Sequence, residues 1–417
     1  MSEAARDEGH EAGRRMGAPE RSGDELLALA RAAGGPIVEP DPGGGAQVTF
    51  VWDGAPETTA VSVATWIGPN VFGSPLDRVE GSSVWAVTLP ARPGLRTAYQ
   101  FLVDHEALSL DAVASMADEE LAAASAERVA HLYADPLNPA TWRPQWWHRD
   151  LAADRFESVL ALPDAPPRPW LDTIATGGGR GTVESHKVGD RGRLVYSYLP
   201  AGYDEATTYP LVVLLDGRLF RHVAPAPAVF DHLIERGVLP PVVALLVEAS
   251  APERRTAEFF ADEAFAEEIV ASVIPWAAAR WSITTDPSRT VIGGASAGGF
   301  AASFLALRHP ERFGRVLSMS GSYWWGAALD GEPEWLTRQY AEAPASPATR
   351  FYVDVGCYET MPIRDAPGVT MVSANRHFRT VLRARGFDVV DYVEFAGGHE
   401  AVAWADSVAR ALPPLLA

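Results

Sequence analysis

Cysteine is almost missing from this chain: Cys357 stands alone among 417 residues. A single thiol excludes an intrachain disulfide and any multi-cysteine metal site. The H-x-x-x-H and Cys/His spacings of a zinc centre are missing as well, so neither a catalytic metal nor a cofactor is expected. Positive charge is scarce, with 35 Lys plus Arg against 54 Asp plus Glu and a formal charge of −19. A surface that acidic repels polyphosphate and anionic lipid, which argues against nucleic-acid and membrane partners. Residues 1–24 contain no apolar core of a signal peptide. The apolar stretch 26–38 is short and interrupted by Arg31 and two glycines. Neither a secretory signal nor a membrane-spanning helix is expected, and the expected compartment is the cytoplasm. Residues 1–24 read as a disordered tail ahead of a short helix near Glu25–Ala33. There is no internal repeat and no long run of one charge.

What is present is an ordinary globular composition, 47% hydrophobic and 21% charged. At roughly 100–200 residues per domain, the length predicts two or three domains. The first half alternates with a period of two over Gln47–Trp52, Val61–Trp66, Val84–Leu89 and Ala98–Val103. Short strands at that spacing predict an immunoglobulin-like β-sandwich over 25–140. Within it, the Ala-rich stretch Ser115–Ala130 predicts a helix or an ordered insertion. The run Asp135-Pro136-Leu137-Asn138-Pro139 predicts a turn. Residues 141–182 are rich in proline, carry Gly177-Gly178-Gly179, and hold Trp142, Trp146, Trp147 and Trp170. They read as a linker that wraps onto the next domain, because those indoles need burial.

Over 183–417 the period changes. Arg193–Leu199 alternates, while Pro210–Leu215 and Val242–Val247 are continuous apolar runs of the kind buried on both faces of a parallel sheet. A helix is predicted over Asp262–Trp281. Further strands are predicted at Thr290–Gly293, Arg315–Met319, Phe351–Val355 and Val389–Phe395, with helices at Ala297–Arg308, Met371–Arg385 and Val402–Leu412. Strands alternating with helices predict an α/β domain built on a mostly parallel sheet.

Gly294-Ala295-Ser296-Ala297-Gly298 fits G-x-S-x-G and lies between a predicted strand and a predicted helix. That context is what the motif needs to act as a nucleophile elbow. A sharp turn holds the serine in strain, only small neighbours fit around it, and the N–H of Ala297 faces the position of an oxyanion. A serine nucleophile requires a base, which in this fold class follows it in the chain after an acid. Of ten histidines, only His309, His377 and His399 follow Ser296. His309 ends the nucleophile's own helix, and His377 sits mid-helix between Arg376 and Arg379. His399, in a glycine-rich loop after the last strand, is the expected base. The acid belongs just past Phe351–Val355. Asp354 falls inside that strand, so Glu359 is favoured, with Asp365 behind it. Cys357 reads as structural.

A second oxyanion donor is expected after the strand Pro210–Leu215, from the N–H of Arg218 in Asp216-Gly217-Arg218. Arg218 and Arg221 set positive charge beside the site, which in so acidic a chain fits either an anionic substrate or surface pairing with nearby carboxylates. Arg255 is a further candidate for substrate contact, or for a loop-bracing pair with Glu258. Trp52, Trp66 and Trp85 would suit a carbohydrate-binding face if exposed, but alternate strand positions favour the core.

Taken together, Gly293-Gly294-Ala295-Ser296-Ala297-Gly298-Gly299, His309-Pro310-Glu311-Arg312-Phe313-Gly314, Ser318-Met319-Ser320-Gly321-Ser322-Tyr323-Trp324-Trp325, Leu214-Leu215-Asp216-Gly217 and Gly397-Gly398-His399 resemble the enterochelin esterases. The β region ending at Ala134–Pro139 is similar to the N-terminal domain of that family. The resemblance implies an α/β-hydrolase, a serine esterase that opens a tricatecholate siderophore, ferric or apo, and so releases iron in the cytoplasm. Tyr323 and Trp324 become candidate substrate contacts. Feruloyl, carbohydrate or natural-product esters, hydrolysed or used for acyl transfer on the same fold, are the alternative substrates.

Overall fold

The computed structural model describes residues 21–143, 156–175, 180–326, 333–344 and 348–417. Residues 1–20, Trp146, Trp147 and Gly177–Gly179 lie outside the described residues. The chain divides into two compact units, Met1–Pro93 with Tyr99–Ala140, and Gly94–Ala98 with Thr141–Ala417.

The first unit opens with the helix Gly23–Ala33. Ser22 and Glu25 cap it reciprocally, which satisfies two backbone donors at its start. Leu26 and Ala30 on its inner face pack with Val51, Val84 and Ala86. Ala46–Asp53 runs antiparallel to Val84–Ala91 and is flanked by Ile37–Pro40. Val61–Thr65 pairs antiparallel with Arg96–Val103, from Val61 opposite Val103 to Thr65 opposite Tyr99. The Ala-rich stretch forms the helix Asp118–Val129, and a shorter helix, Leu110–Ser115, precedes it. In the proline-punctuated turn, buried Asp135 accepts from the Tyr99 hydroxyl at 2.7 Å and from the Leu137 N–H at 2.8 Å. The Trp52 ring packs 5.0 Å from that of Phe101, and Arg78 lies over Trp85.

The second unit holds an eight-stranded sheet. Its strands, in chain order, are Thr182–Val188 (β1), Arg193–Leu199 (β2), Leu211–Leu215 (β3), Val243–Val247 (β4), Thr290–Ala295 (β5), Arg315–Met319 (β6), Arg350–Gly356 (β7) and Asp388–Phe395 (β8). Their spatial order is β1-β2-β4-β3-β5-β6-β7-β8, antiparallel from β1 to β4 and parallel thereafter. The apolar runs have a direct physical reason. Val213 and Leu215 of β3 face one hydrophobic layer with Phe265, Phe300, Phe304 and Phe378. Val212 and Leu214 face the other, with Phe230, Trp404, Val408 and Leu412. A strand covered on both sides has no polar face to alternate with.

The helix expected over Asp262–Trp281 runs from Glu263 to Ala278 but widens to a π-turn at Ile269–Val273. Pro275 lies one residue beyond it, after Ile274. It offers no N–H and crowds the carbonyl four residues back, and a widened turn accommodates both. The stretch read as a linker carries structure of its own: Thr141–Trp142 pairs with Glu157–Ala161, and Trp170–Ala175 is a short helix. Trp170 is buried, and Arg168 lies over both Trp142 and Trp170.

Candidate active site

All the parallel strands end at one edge of the sheet, and the loops beyond β3 to β8 gather the chemistry there. After β5 the chain reverses sharply into the helix Ala297–Arg308. Ser296, the pivot, is held at φ +58 and ψ −122, a region L residues avoid. The turn is locked from both sides: the Ser296 N–H donates to the Met319 carbonyl at 2.8 Å, and the Ser296 carbonyl accepts from the Ser322 N–H at 3.0 Å. Gly294 has no alternative here, since a Cβ on it would fall 2.6 Å from the backbone of Gly298. Ser296 is half-buried between fully buried neighbours, and its Oγ lies 3.3 Å from the Oγ of Ser322. Ala297 opens the helix, where first-turn N–H groups have no intrahelical acceptor.

His399 and Glu359 meet across the loops after β8 and β7. His399 Nδ1 is 2.6 Å from Glu359 Oε2. The other carboxylate oxygen accepts from the Ser320 hydroxyl at 2.6 Å and from the Gly356 N–H at 2.7 Å. Trp404 completes the arrangement: its ring stands edge-on to the imidazole at 5.1 Å, and its Nε1 donates to Ser320 Oγ at 3.3 Å. The two loops are stitched together by the Cys357 N–H to the Phe395 carbonyl and the Tyr358 N–H to the Gly397 carbonyl. The Glu359 side chain is 2% exposed and that of His399 16%, so the carboxylate is enclosed while the imidazole keeps an open edge.

The other acids and histidines are placed differently. Asp365 is exposed, 3.5 Å from Arg364. Asp354 is wholly buried against Arg410, and burial pushes its carboxyl up to about 6. Glu400, beside His399, is buried and accepts from the Gly398 N–H; burial pushes it up to about 7. His309 caps the far end of the nucleophile's helix, and His377 pairs with Glu334.

Three residues make contacts other than those expected. The Arg218 N–H, expected to be open to an oxyanion, donates to Glu248 Oε2 at 2.7 Å, because that buried carboxyl needs a donor. Arg255 does not brace against Glu258. It makes two 2.6 Å bonds to fully buried Asp216, while Glu258 pairs with Arg193 at 2.8 Å. Its guanidinium is therefore committed to the loop after β3. Tyr323, expected as a substrate contact, lies in the core. It is wholly buried, stacked 3.7 Å from Phe378, and its hydroxyl donates to Ser318. Trp324 is partly buried beside Phe260, and its buried Nε1 finds no acceptor among the described residues.

Arg218 is exposed and Arg221 half-buried after β3, and Arg143 joins them electrostatically at His222. Burial, and then these three guanidinium groups, hold the His222 imidazole below its ordinary value. Ser320, Ser322, Trp404 and Glu248 were not assigned roles from the sequence. The available signal was position: Ser320 and Glu248 directly follow strand ends and Ser322 comes two residues after Ser320, where loop residues meet at the site. Among the described residues, no group of three His, Cys, Asp or Glu side chains is arranged to hold a metal ion, and no helix is long and apolar enough to cross a membrane.

Comparison with known proteins gives a consistent set. Residues 185–415 match the family described as putative esterase, and residues 47–171 match the enterochelin esterase N-terminal family. The chain is 30% identical over 313 residues to the iron(III) enterobactin esterase of Dickeya dadantii, covering 70% of this chain and 69% of that one. It is 27% identical over 382 residues to the iron(III) enterobactin esterase of Escherichia coli, covering 88% and 90%. A crystal structure of the enterobactin esterase from Shigella flexneri in the presence of enterobactin superposes with a TM-score of 0.72 at 25% identity, covering 93% of this chain and 97% of that one.

Proposed function

The chain belongs to the esterase family in its enterochelin esterase form, and from that premise we propose that it hydrolyses the ester bonds of a catecholate siderophore, an enterobactin-like trilactone, to release the iron it carries. One observation carries the chemical part of this reading. Ser296 stands strained at the strand–helix turn, and a His399–Glu359 pair follows the strand ends at the same edge of the sheet.

In this reading Ser296 Oγ attacks the ester carbonyl while neutral His399 takes its proton through Nε2. Glu359 fixes the tautomer by accepting from Nδ1–H and stabilises the imidazolium that forms. The Ala297 N–H bonds the oxyanion. The imidazolium then returns its proton to the departing alkoxide, and a water activated by the same imidazole hydrolyses the acyl-enzyme. Iron is cargo here, and the chemistry is that of an ordinary ester. Arg143, Arg218 and Arg221 support an anionic substrate such as a catecholate, whose charge a chain at −19 would otherwise repel. The antiparallel strands of the first unit support an immunoglobulin-like sandwich, and the proposed compartment is the cytoplasm.

The test is hydrolysis of enterobactin, apo and ferric, beside methyl ferulate, with products followed by mass spectrometry. The expected result is release of 2,3-dihydroxybenzoyl-serine, with kcat/KM for enterobactin at least roughly tenfold above that for the ferulate. The opposite order would move the assignment to feruloyl-type esters.

A further inference from the structure

Beneath the loop after β3 lies a buried charged cluster that the triad does not use. β3 and β4 are parallel neighbours with Leu215 opposite Val247, so Asp216 and Glu248 occupy adjacent places as the two strands end. Asp216 is wholly buried at φ +67 and is clamped by Arg255. Glu248 is 7% exposed, and its Oε2 sits 2.7 Å from the Arg218 nitrogen. In chain position that N–H is the second oxyanion donor of a serine esterase of this fold. A carboxylate oxygen at such a distance resembles an oxyanion in charge and in hydrogen-bond demand. One N–H directed at Glu248 cannot be given in full to a second anionic oxygen, and two anions beside one donor repel.

We propose that Glu248 is a competing acceptor built into the esterase site: as an anion it occupies the Arg218 N–H, and turnover requires that it give this donor up to the substrate oxyanion. The inference rests on the esterase reading above. A neutral Glu248 is a weak, displaceable acceptor, whereas an ionised one is not. Its surroundings put the change within reach, since burial and then the charge of Asp216 push the carboxyl up to about 7. Opposing these are the Arg218 N–H and the charges of Arg218 and Arg255. From β2, Arg193 donates to the Glu248 backbone carbonyl at 2.9 Å. The balance gives a direction: the ionised, occluding form grows as pH rises above 7, so the oxyanion site closes toward alkaline pH.

The experiment is the pH profile of kcat/KM for p-nitrophenyl acetate from pH 6 to 9, for the full chain and for Glu248→Gln, with Ser296→Ala as the background. The native enzyme should lose activity above pH 7, approaching roughly tenfold per pH unit as for any single essential protonation. Glu248→Gln, neutral and nearly the same shape, should abolish that alkaline limb and exceed the native enzyme at pH 9. A native profile that stays flat from pH 7 to 9 overturns the proposal whether or not the variant folds. A variant uniformly slower, with the same profile, overturns it too and leaves Glu248 a structural brace. If hydrolysis independent of Ser296 were all that is seen, the esterase reading would fall first and take this one with it.

Discussion

Replacing Glu359 by glutamine changes one atom and should nearly stop the enzyme. The carboxylate accepts three hydrogen bonds in the native arrangement: His399 at one oxygen, and Ser320 Oγ with the Gly356 N–H at the other. Glutamine has only one acceptor oxygen. If its NH₂ replaces Oε1, it faces two donors within 2.7 Å and the buried loop is left with unsatisfied groups. If the NH₂ replaces Oε2, it donates to Nδ1 and drives the imidazole proton to Nε2, where a base must be bare. The second arrangement keeps the loop intact and is therefore the one expected. A wrong-tautomer imidazole costs roughly 10⁴-fold in kcat, or about 5 kcal/mol of transition-state stabilisation. The assay is kcat on a chromogenic ester, with thermal unfolding alongside to show that the fold survives. Asp365→Asn, at an exposed carboxylate beside Arg364, should change kcat less than about twofold. A Glu359→Gln enzyme retaining more than a tenth of native kcat, or a larger loss in Asp365→Asn, would refute the reasoning.

Two further outcomes follow from packing and burial. Gly356→Ala would place a Cβ 2.5 Å from the Gly397 carbonyl and 2.9 Å from Glu359 Oε1, prising apart the loops that join acid and base; activity should fall at least roughly tenfold, with a lowered melting temperature. Burial, and then the charge of Glu400, push the Glu157 carboxyl up to about 8. The native state therefore binds a proton there that the unfolded chain has released above its ordinary 4.5, so this group's contribution to stability is lost as pH rises from about 4.5 to 8. Glu157→Gln should raise the melting temperature at pH 8 and leave it unchanged near pH 4; an equal shift at both would show that ionisation is not the cause.

The parallel core of the second unit was legible because its strands are covered on both faces. Pro210–Leu215 and Val242–Val247 contain no polar residue to disguise the pattern, and the structure places β3 and β4 within a residue of those bounds. The helix Ala297–Arg308 and the strand Arg315–Met319 lie at the bounds read from sequence. Less legible was anything set by long-range contact. β1, Thr182–Val188, is mostly polar and half exposed, because it is the edge strand of the sheet and pairs with β2 on one side; only Val188 of its residues is buried in the core, so its sequence carries little burial signal. The helix Ala226–Glu235 contains Pro227, which masks a helical pattern, although proline is well tolerated in a first turn. At the site, Ser296, Glu359 and His399 could be ordered along the chain from the rule that acid and base follow the nucleophile past later strand ends, here β5, β7 and β8. Partners chosen by charge alone misled. Arg255 and Glu258 are three apart in sequence, yet each found a deeper carboxylate or guanidinium across the sheet, in Asp216 and Arg193. A hydroxyl such as Ser320 gives no sequence sign that it will end up beneath a carboxylate.

Ester cleavage at this site turns on one atom, the Oγ of Ser296. The most direct measurement compares native protein with Ser296→Ala for release of 2,3-dihydroxybenzoyl-serine from ferric enterobactin, with matched unfolding curves to show an unchanged fold. The expected loss is on the order of 10⁴–10⁶-fold, as for a triad nucleophile. A folded Ser296→Ala protein that keeps more than a tenth of native turnover would contradict it.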